Sequence, residues 1–276
     1  MSDQLTCGRK ANGCPSSQPP DGGKRFEEEL VPGRESDCRE GQGVKSVDRA
    51  DAFAVEARSI SKSYRSSRRG RRRTTVFRDV SVQVEPGEVV GITGPSGAGK
   101  STLLYCLSGL EPVDSGDVLV QGSDMTHCSR GARAAVRRKC MGFIFQEYNL
   151  VDSLTVLGNV ELASRMAGMG RQRDAVLSTL ERVGMTAFLD AYPDELSGGQ
   201  QQRVAVARAL VLNPPIVFAD EPTGALDARN TSIVVQGLHE LAEQGSSVVV
   251  VTHDPGIAEE ADRCLRIDSA RLSVEL

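Results

Sequence analysis

Residues 89–101 read VVGITGPSGAGKS, and the architecture follows from this stretch. Val89, Val90 and Ile92 make a short apolar run of the kind a buried strand carries, and Gly94 ends it. Beyond it Leu103, Leu104, Cys106, Leu107 and Leu110 recur at helical spacing. The connecting GPSGAGKS, residues 94–101, matches G-x-x-x-x-G-K-[ST] in the strand-to-helix setting that gives this motif its meaning. Gly97 and Gly99 let backbone N–H groups wrap phosphate oxygens, Lys100 reaches the outer phosphates, and the Ser101 hydroxyl is placed to ligate Mg²⁺.

Working outward, FAVEARSISKSY from Phe53 and VFRDVSVQV at 76–84 alternate as strands do, with Val80, Val82 and Val84 on one face, and DVLVQG at 117–122 returns to strand. Residues 154–168 and 172–184 instead space Leu157, Val160 and Ala163, then Val176, Leu177, Leu180 and Val183, as helices do, which predicts a helical insertion. IVFAD at 216–220 and SSVVVVTHD at 246–254 are apolar runs ending in polar residues, separated by a helix carrying Ile233, Val234, Leu238 and Leu241. Buried strands alternating with helices predict a parallel sheet, whose ligands bind at the carboxyl ends of the strands.

The polar residues fall at those ends. Asp220 closes IVFAD, where it can hold Mg²⁺ through its hydration shell, and Glu221 beside it is a candidate general base toward a γ-phosphate. His253 closes the next apolar strand and is a candidate γ-phosphate contact. LSGGQQQRV at 196–204 runs from a glycine pair into an alanine-rich helix. Bare N–H groups at such a start can hold an anion, or the stretch is a turn before a core helix; the nine residues alone leave both open.

Composition bounds the rest. Of 276 residues, 39% are hydrophobic and 25% charged, as in a globular protein with a sizeable core. No apolar run approaches the ~18 residues of a membrane span, and no signal segment opens the chain, so a cytoplasmic location is expected. Cys7, Cys14, Cys38, Cys106, Cys128, Cys140 and Cys264 are odd in number and form no C-x-x-C pair, which argues against a disulfide framework or a zinc site. The net charge of −4 argues against generic nucleic-acid binding, and no specific nucleic-acid partner is expected. Residues 1–52, rich in Gly, Ser, Pro and charge, are expected to form a disordered tail preceding a folded domain at 53–276. RSSRRGRRR at 65–73 is either a solvated loop or a contact for anionic lipid headgroups or an acidic partner.

Taken in order, Tyr64, GPSGAGKST, Gln146 in FIFQEYNL, LSGGQ, IVFADEP, ALD at 225–227 and His253 resemble the nucleotide-binding domain of an ATP-binding cassette (ABC) ATPase over residues 54–270. GFIFQEYNLVDSLTVLGNVEL, LSGGQQQRVAVARAL and FADEPTGALD are similar to the lipoprotein-releasing, macrolide-export and cell-division subgroup. The resemblance implies an α/β P-loop NTPase with a mainly parallel sheet core, an antiparallel β subdomain and a helical subdomain at about 125–195. It implies ATP and Mg²⁺ as ligands, with Tyr64 stacking on adenine and Gly94, Pro95, Ser96, Gly97, Ala98, Gly99, Lys100, Ser101 and Thr102 around the phosphates. Ser101, Gln146 and Asp220 would serve the metal, and Glu221, His253 and Gln146 catalysis. Ser197, Gly198, Gly199 and Gln200 would meet ATP held by a second copy in a head-to-tail homodimer. The implied role is the ATPase subunit of an exporter, on the inner face of the membrane beside a separately encoded integral permease. A mechanotransmitting ATPase that drives a membrane partner in cell division or cell-wall hydrolysis is the alternative.

Overall fold

Valine, isoleucine and phenylalanine concentrate in ten strands, and leucine- and alanine-rich stretches form seven α-helices, counted among the described residues. In chain order these are β1 (Val55–Arg65), β2 (Arg73–Val84), β3 (Val89–Thr93), α1 (Lys100–Leu107), β4 (Ser115–Val120), β5 (Ser123–Asp124), α2 (Arg130–Cys140), β6 (Met141–Ile144), α3 (Val156–Met166) and α4 (Arg173–Arg182). They continue with α5 (Gly198–Leu210), β7 (Ile216–Asp220), α6 (Ala228–Glu243), β8 (Ser247–Val251), α7 (Pro255–Glu259), β9 (Arg263–Asp268) and β10 (Arg271–Glu275). The computed structural model describes residues 53–65, 73–168, 170, 172–224, 226, 228–268 and 271–275. The expected tail at 1–52, Arg68, Arg69, Arg71 and Arg72 of the basic run, and Ala225 and Asp227 of ALD lie outside them.

Two sheets result. One is antiparallel, in the order β2-β1-β4-β5, and the other has the order β10-β9-β3-β8-β7-β6, parallel throughout except for the β10–β9 pair. The central strands are apolar on both faces because both faces are covered. In β8, Val249 and Val251 join the core formed with α1 and the antiparallel sheet, while Val248 and Val250 join the core formed with α3, α4, α5 and α6. In β7, Ile216 and Phe218 take the first side and Val217 and Ala219 the second. This alternation fixes register, since a slip of one residue would exchange the faces.

The helical stretch expected at about 125–195 is interrupted by a strand. β6 pairs parallel with β7 at the edge of the six-stranded sheet, Met141 opposite Ile216 and Ile144 opposite Ala219. Its four residues, MGFI, are too few to show a period against the helices around them. The other two helical readings correspond to α3 and α4, whose Val156, Leu157, Val160, Val176 and Leu180 are buried. Thr155 caps α3 by accepting a hydrogen bond from the Gly158 N–H, and Asn159 inside it donates to the carbonyls of Val151, Leu154 and Thr155, which fixes the segment before the helix.

Phe77, fully buried in the core shared by β1, β2 and α1, gives a test of this packing. Phe77→Ala is expected to destabilise the domain by about 3–5 kcal/mol, read as a lowered midpoint in chemical denaturation. A loss below about 1 kcal/mol would contradict its placement in that core.

Candidate nucleotide site

β3 ends at Thr93 and α1 begins at Lys100, so residues 94–99 form the loop at the carboxyl end of a central strand. Two of its glycines are there for contact as well as conformation. At Gly94 (φ +141°) a Cβ would lie 2.3 Å from the carbonyl oxygen of Ile267, and at Gly99 (φ +97°) one would lie 2.3 Å from Val76 Cγ1. Gly99 is also the N-cap of α1 and supplies no side-chain cap, so the first-turn N–H groups face the loop's cavity. Lys100 Nζ turns back to donate to the carbonyls of Gly94 (3.0 Å) and Pro95 (3.3 Å), partners that carry no opposite charge. Helix dipole, bare N–H groups and ammonium together make a positive cradle for an anion.

The cradle opens into a cavity of about 710 Å³ lined by Gly94, Ser96, Gly97, Gly99, Lys100, Ser101, Thr102, Gln146, Glu221 and His253, with Val76, Tyr148, Gln202 and Gly224. Ten residues singled out in the sequence thus share one surface, although the last lies 159 positions from the first. Pro95 contributes its carbonyl to Lys100, and Ala98 packs toward the core behind the loop. Asp220 lies beneath the cavity, 1% exposed at the end of β7. Its Oδ1 accepts from the Ser101 hydroxyl and its Oδ2 from the Tyr105 hydroxyl, each at 2.8 Å. Burial and the Asp220 carboxylate push the Tyr105 phenol above its ordinary pKa, so it is the donor in that bond.

Glu221 takes a left-handed backbone conformation, φ +47°, which costs a non-glycine residue about 1 kcal/mol or more. Hydrogen bonds from its N–H to the Val251 carbonyl (2.9 Å) and from the Gly224 N–H to its own carbonyl (3.2 Å) hold it there. The turn aims the carboxylate across the strand ends to His253, whose Nδ1 lies 2.6 Å from Glu221 Oε2. An ionised carboxylate only accepts, so Nδ1 carries the proton and Nε2 is the free nitrogen. The imidazole is 69% exposed and the Glu221 side chain 12%, so the ring forms the outer wall and the acid the inner one.

Tyr64 does not line the cavity. It sits near the outer end of β1, 41% exposed, with Lys62 Nζ 5.1 Å from its ring centroid. Burial raises its phenol pKa, as does Glu111, while Thr102 lowers it. Ser197, Gly198, Gly199 and Gln200 are also outside the cavity, at the start of α5. There the Ser197 hydroxyl accepts from the Gln200 N–H and the Gln200 side chain accepts from the Ser197 N–H, a capping box that leaves the glycines as the half-buried opening turn, where a Cβ at Gly198 would lie 3.0 Å from the Tyr148 hydroxyl.

Sequence reasoning missed Tyr105, Tyr148 and Gln202. Tyr148 and Asn149 have positive φ without being glycine, and Arg208 of α5 donates to both their carbonyls, at 2.8 and 2.5 Å. Gln202 is 2% exposed, and its Nε2 has no hydrogen-bond partner among the described residues. The glutamine row QQQ carried no sign of which member turns inward; Tyr148, two residues beyond Gln146, was the more readable of the three.

A glycine-rich cradle at the end of the parallel strand β3, with a buried aspartate and an adjoining glutamate at the end of β7, one strand removed across β8, defines a P-loop nucleoside triphosphatase. The family model for ABC transporters matches residues 77–224. The macrolide export ATP-binding/permease protein MacB of Shewanella sp. (strain W3-18-1) is 43% identical over 210 residues, 75% of this chain and 32% of that protein. The chain therefore spans about a third of the length of such relatives. An uncharacterized ABC transporter ATP-binding protein of Mycobacterium tuberculosis (strain ATCC 25618 / H37Rv) is 42% identical over 208 residues, 74% of this chain and 84% of that one. Among solved structures, the dimeric ATP-binding cassette MJ0796 in a post-hydrolysis state bound to ADP and Pi aligns with TM-score 0.75 and 36% identity, covering 80% of this chain and 98% of that one. The chain belongs to the ABC transporter family and is an ATP-hydrolysing cassette of it.

Proposed function

We propose that the chain is the ATPase subunit of an export-type ABC transporter and energises a separately encoded integral membrane permease. The observation that carries this reading is the single cavity in which the phosphate cradle, Gln146, Glu221 and His253 meet above Asp220. The backbone N–H groups of residues 96–102 and the Lys100 ammonium bind the triphosphate, and Tyr64 stacks on the base. Glu221 accepts the proton of the attacking water, while His253, fixed through its Nδ1 bond to Glu221, contacts the γ-phosphate by donating from Nε2 in its doubly protonated form.

The Ser101 hydroxyl, the Asp220 carboxylate and the Gln146 amide oxygen form an all-oxygen set suited to a hard cation. Asp220 suits this role because it is buried and, among the described residues, no cation pairs with it. Bound Mg²⁺ would neutralise charge on the β- and γ-phosphates. Ser101 and Asp220 would hold it from below and Gln146 from the side of β6.

The 84% coverage of an ATP-binding protein relative supports a subunit of this size, and likeness to the MacB proteins supports export of a macrolide- or lipoprotein-type substrate. Among the described residues no helix is long and apolar enough to cross a membrane, so this reading assigns the crossing to the permease and the chain to its inner side.

The glycines of LSGGQ stand outside their own cavity, which is what a contact with nucleotide in a second copy requires, and the dimeric cassette it resembles supports a head-to-tail pair. Glu221→Gln protein is expected to be monomeric alone and dimeric with ATP and Mg²⁺. Adding Gly199→Asp should abolish the dimer and leave each monomer's ATP affinity nearly intact, because like charges at ~4 Å repel by about 4 kcal/mol at an effective dielectric near 20. An Asp in the first turn of α5 favours the helix itself, so the fold is retained. Light scattering on the double variant checks this, and an undiminished ATP-dependent dimer refutes the contact.

A further inference from the structure

Tyr105 lies on the second turn of α1 and touches both strand ends that flank the metal side of the cavity. Its hydroxyl donates to Asp220 Oδ2 at 2.8 Å, so the carboxylate is held at both oxygens, by Ser101 on one and Tyr105 on the other. Its ring meets Phe145 with centroids 6.4 Å apart and planes inclined at 51°. Phe145 stacks on Phe143 (5.6 Å, 7°), and Phe143 stacks on Phe218 (5.7 Å, 19°). This aromatic row begins at the residue that precedes Gln146 and ends two residues before Asp220. One side chain therefore braces the end of β6 and the end of β7 against α1.

We propose that Tyr105 is a positioning residue for the metal end of the nucleotide site, holding the Asp220 carboxylate through its hydroxyl and the segment that carries Gln146 through its ring. The inference rests on the reading of Ser101, Asp220 and Gln146 as the residues that hold Mg²⁺. A carboxylate with one anchored oxygen turns about its Cβ–Cγ bond, and the second bond removes that freedom before any ligand arrives. Partners that orient metal-holding side chains from behind are worth about tenfold or more in metal affinity. Arginine or lysine at the same place would hold the carboxylate more strongly but cancel the charge the metal needs. A phenol orients it and stays neutral.

The test compares the full chain with Tyr105→Phe and with Asp220→Asn, using ADP as probe so that no turnover intervenes. ADP affinity is measured by calorimetry across a Mg²⁺ series and in EDTA. Tyr105→Phe is expected to raise the Mg²⁺ concentration at half effect by about tenfold and to leave affinity in EDTA within about twofold of the parent. Asp220→Asn should raise it further. Thermal unfolding in EDTA gives the structural readout: a lowered midpoint with unchanged Mg²⁺ dependence in Tyr105→Phe overturns the positioning role while the Asp220 result leaves the metal reading standing. Tighter Mg²⁺ binding in Tyr105→Phe also overturns it, because the phenol would then be a competitor for Oδ2. If Asp220→Asn is itself without effect, the metal reading fails and this inference with it.

Discussion

Glu221→Gln is expected to bind ATP with near-parental affinity and to lose about a hundredfold or more of its turnover, the contribution of a positioned general base. The substitution keeps the shape of the side chain, so the amide oxygen can still accept from His253 Nδ1 and the left-handed turn at residue 221 remains supported by Val251 and Gly224. Only the proton-accepting group is lost. Equilibrium nucleotide binding and steady-state phosphate release, measured on the same preparation, separate the two effects. Near-normal turnover would remove Glu221 as the base and shift attention to His253 Nε2.

Lys100→Ala is expected to act one step earlier. The ammonium is the one charged side chain on the phosphate loop at 94–102, and its present partners are the loop's own carbonyls. A charge-assisted contact to a phosphate is worth about 1.5–3 kcal/mol, which corresponds to about 10- to 150-fold in affinity. Stability should change little, because the two carbonyls released lie beside the open cavity and can bond water. Calorimetric titration with ATP and a thermal melt without nucleotide check both parts, and weakened binding accompanied by a large fall in the melting point would mean that Lys100 supports the loop instead of the ligand.

The two substitutions probe different atoms of one site, and their contrast follows from geometry. Lys100 sits at the start of α1, where the bare N–H groups already attract an anion, so it adds binding to a cradle that exists without it. Glu221 is placed by a strained turn at the end of β7, beside the phosphate position, and contributes to the step that breaks a bond. Strain of this kind persists where the surrounding structure over-determines it. Here the parallel pairing of β7 with β8, Asp220 opposite Val251, supplies that constraint.

The basic residues of the chain divide similarly. Arg208 is partly buried, and the loss of solvent lowers its pKa; it spends its guanidinium on the carbonyls of Tyr148 and Asn149. Arg133 and Arg137 of α2 bond the carbonyls of Thr126 and Gly109. Composition counts all of these as surface charge. The structure uses them to tie loops to helices, and the difference lies in which backbone carbonyls happen to be near.

Local chemistry made much of the protein legible in one dimension. A strand that must end in a tight anion-binding turn needs glycine at fixed intervals and a lysine and hydroxyl where the helix starts, and all of these are contiguous in residues 94–101. Buried parallel strands are apolar on both faces, so IVFAD and SSVVVVTHD announced themselves and placed Asp220, Glu221 and His253 at their ends. Those features depend on neighbours within a few residues. Strand order does not: that β3 lies between β8 and β9, and that the four-residue β6 belongs to the sheet edge, depends on which faces are left to bury once all the strands exist. The same holds for Tyr105. By its spacing it was one more residue of an apolar helix, and only the packing of α1 against β7 brings its hydroxyl within 2.8 Å of Asp220, because a contact between positions 115 residues apart is made by the fold and leaves no periodic trace in the chain.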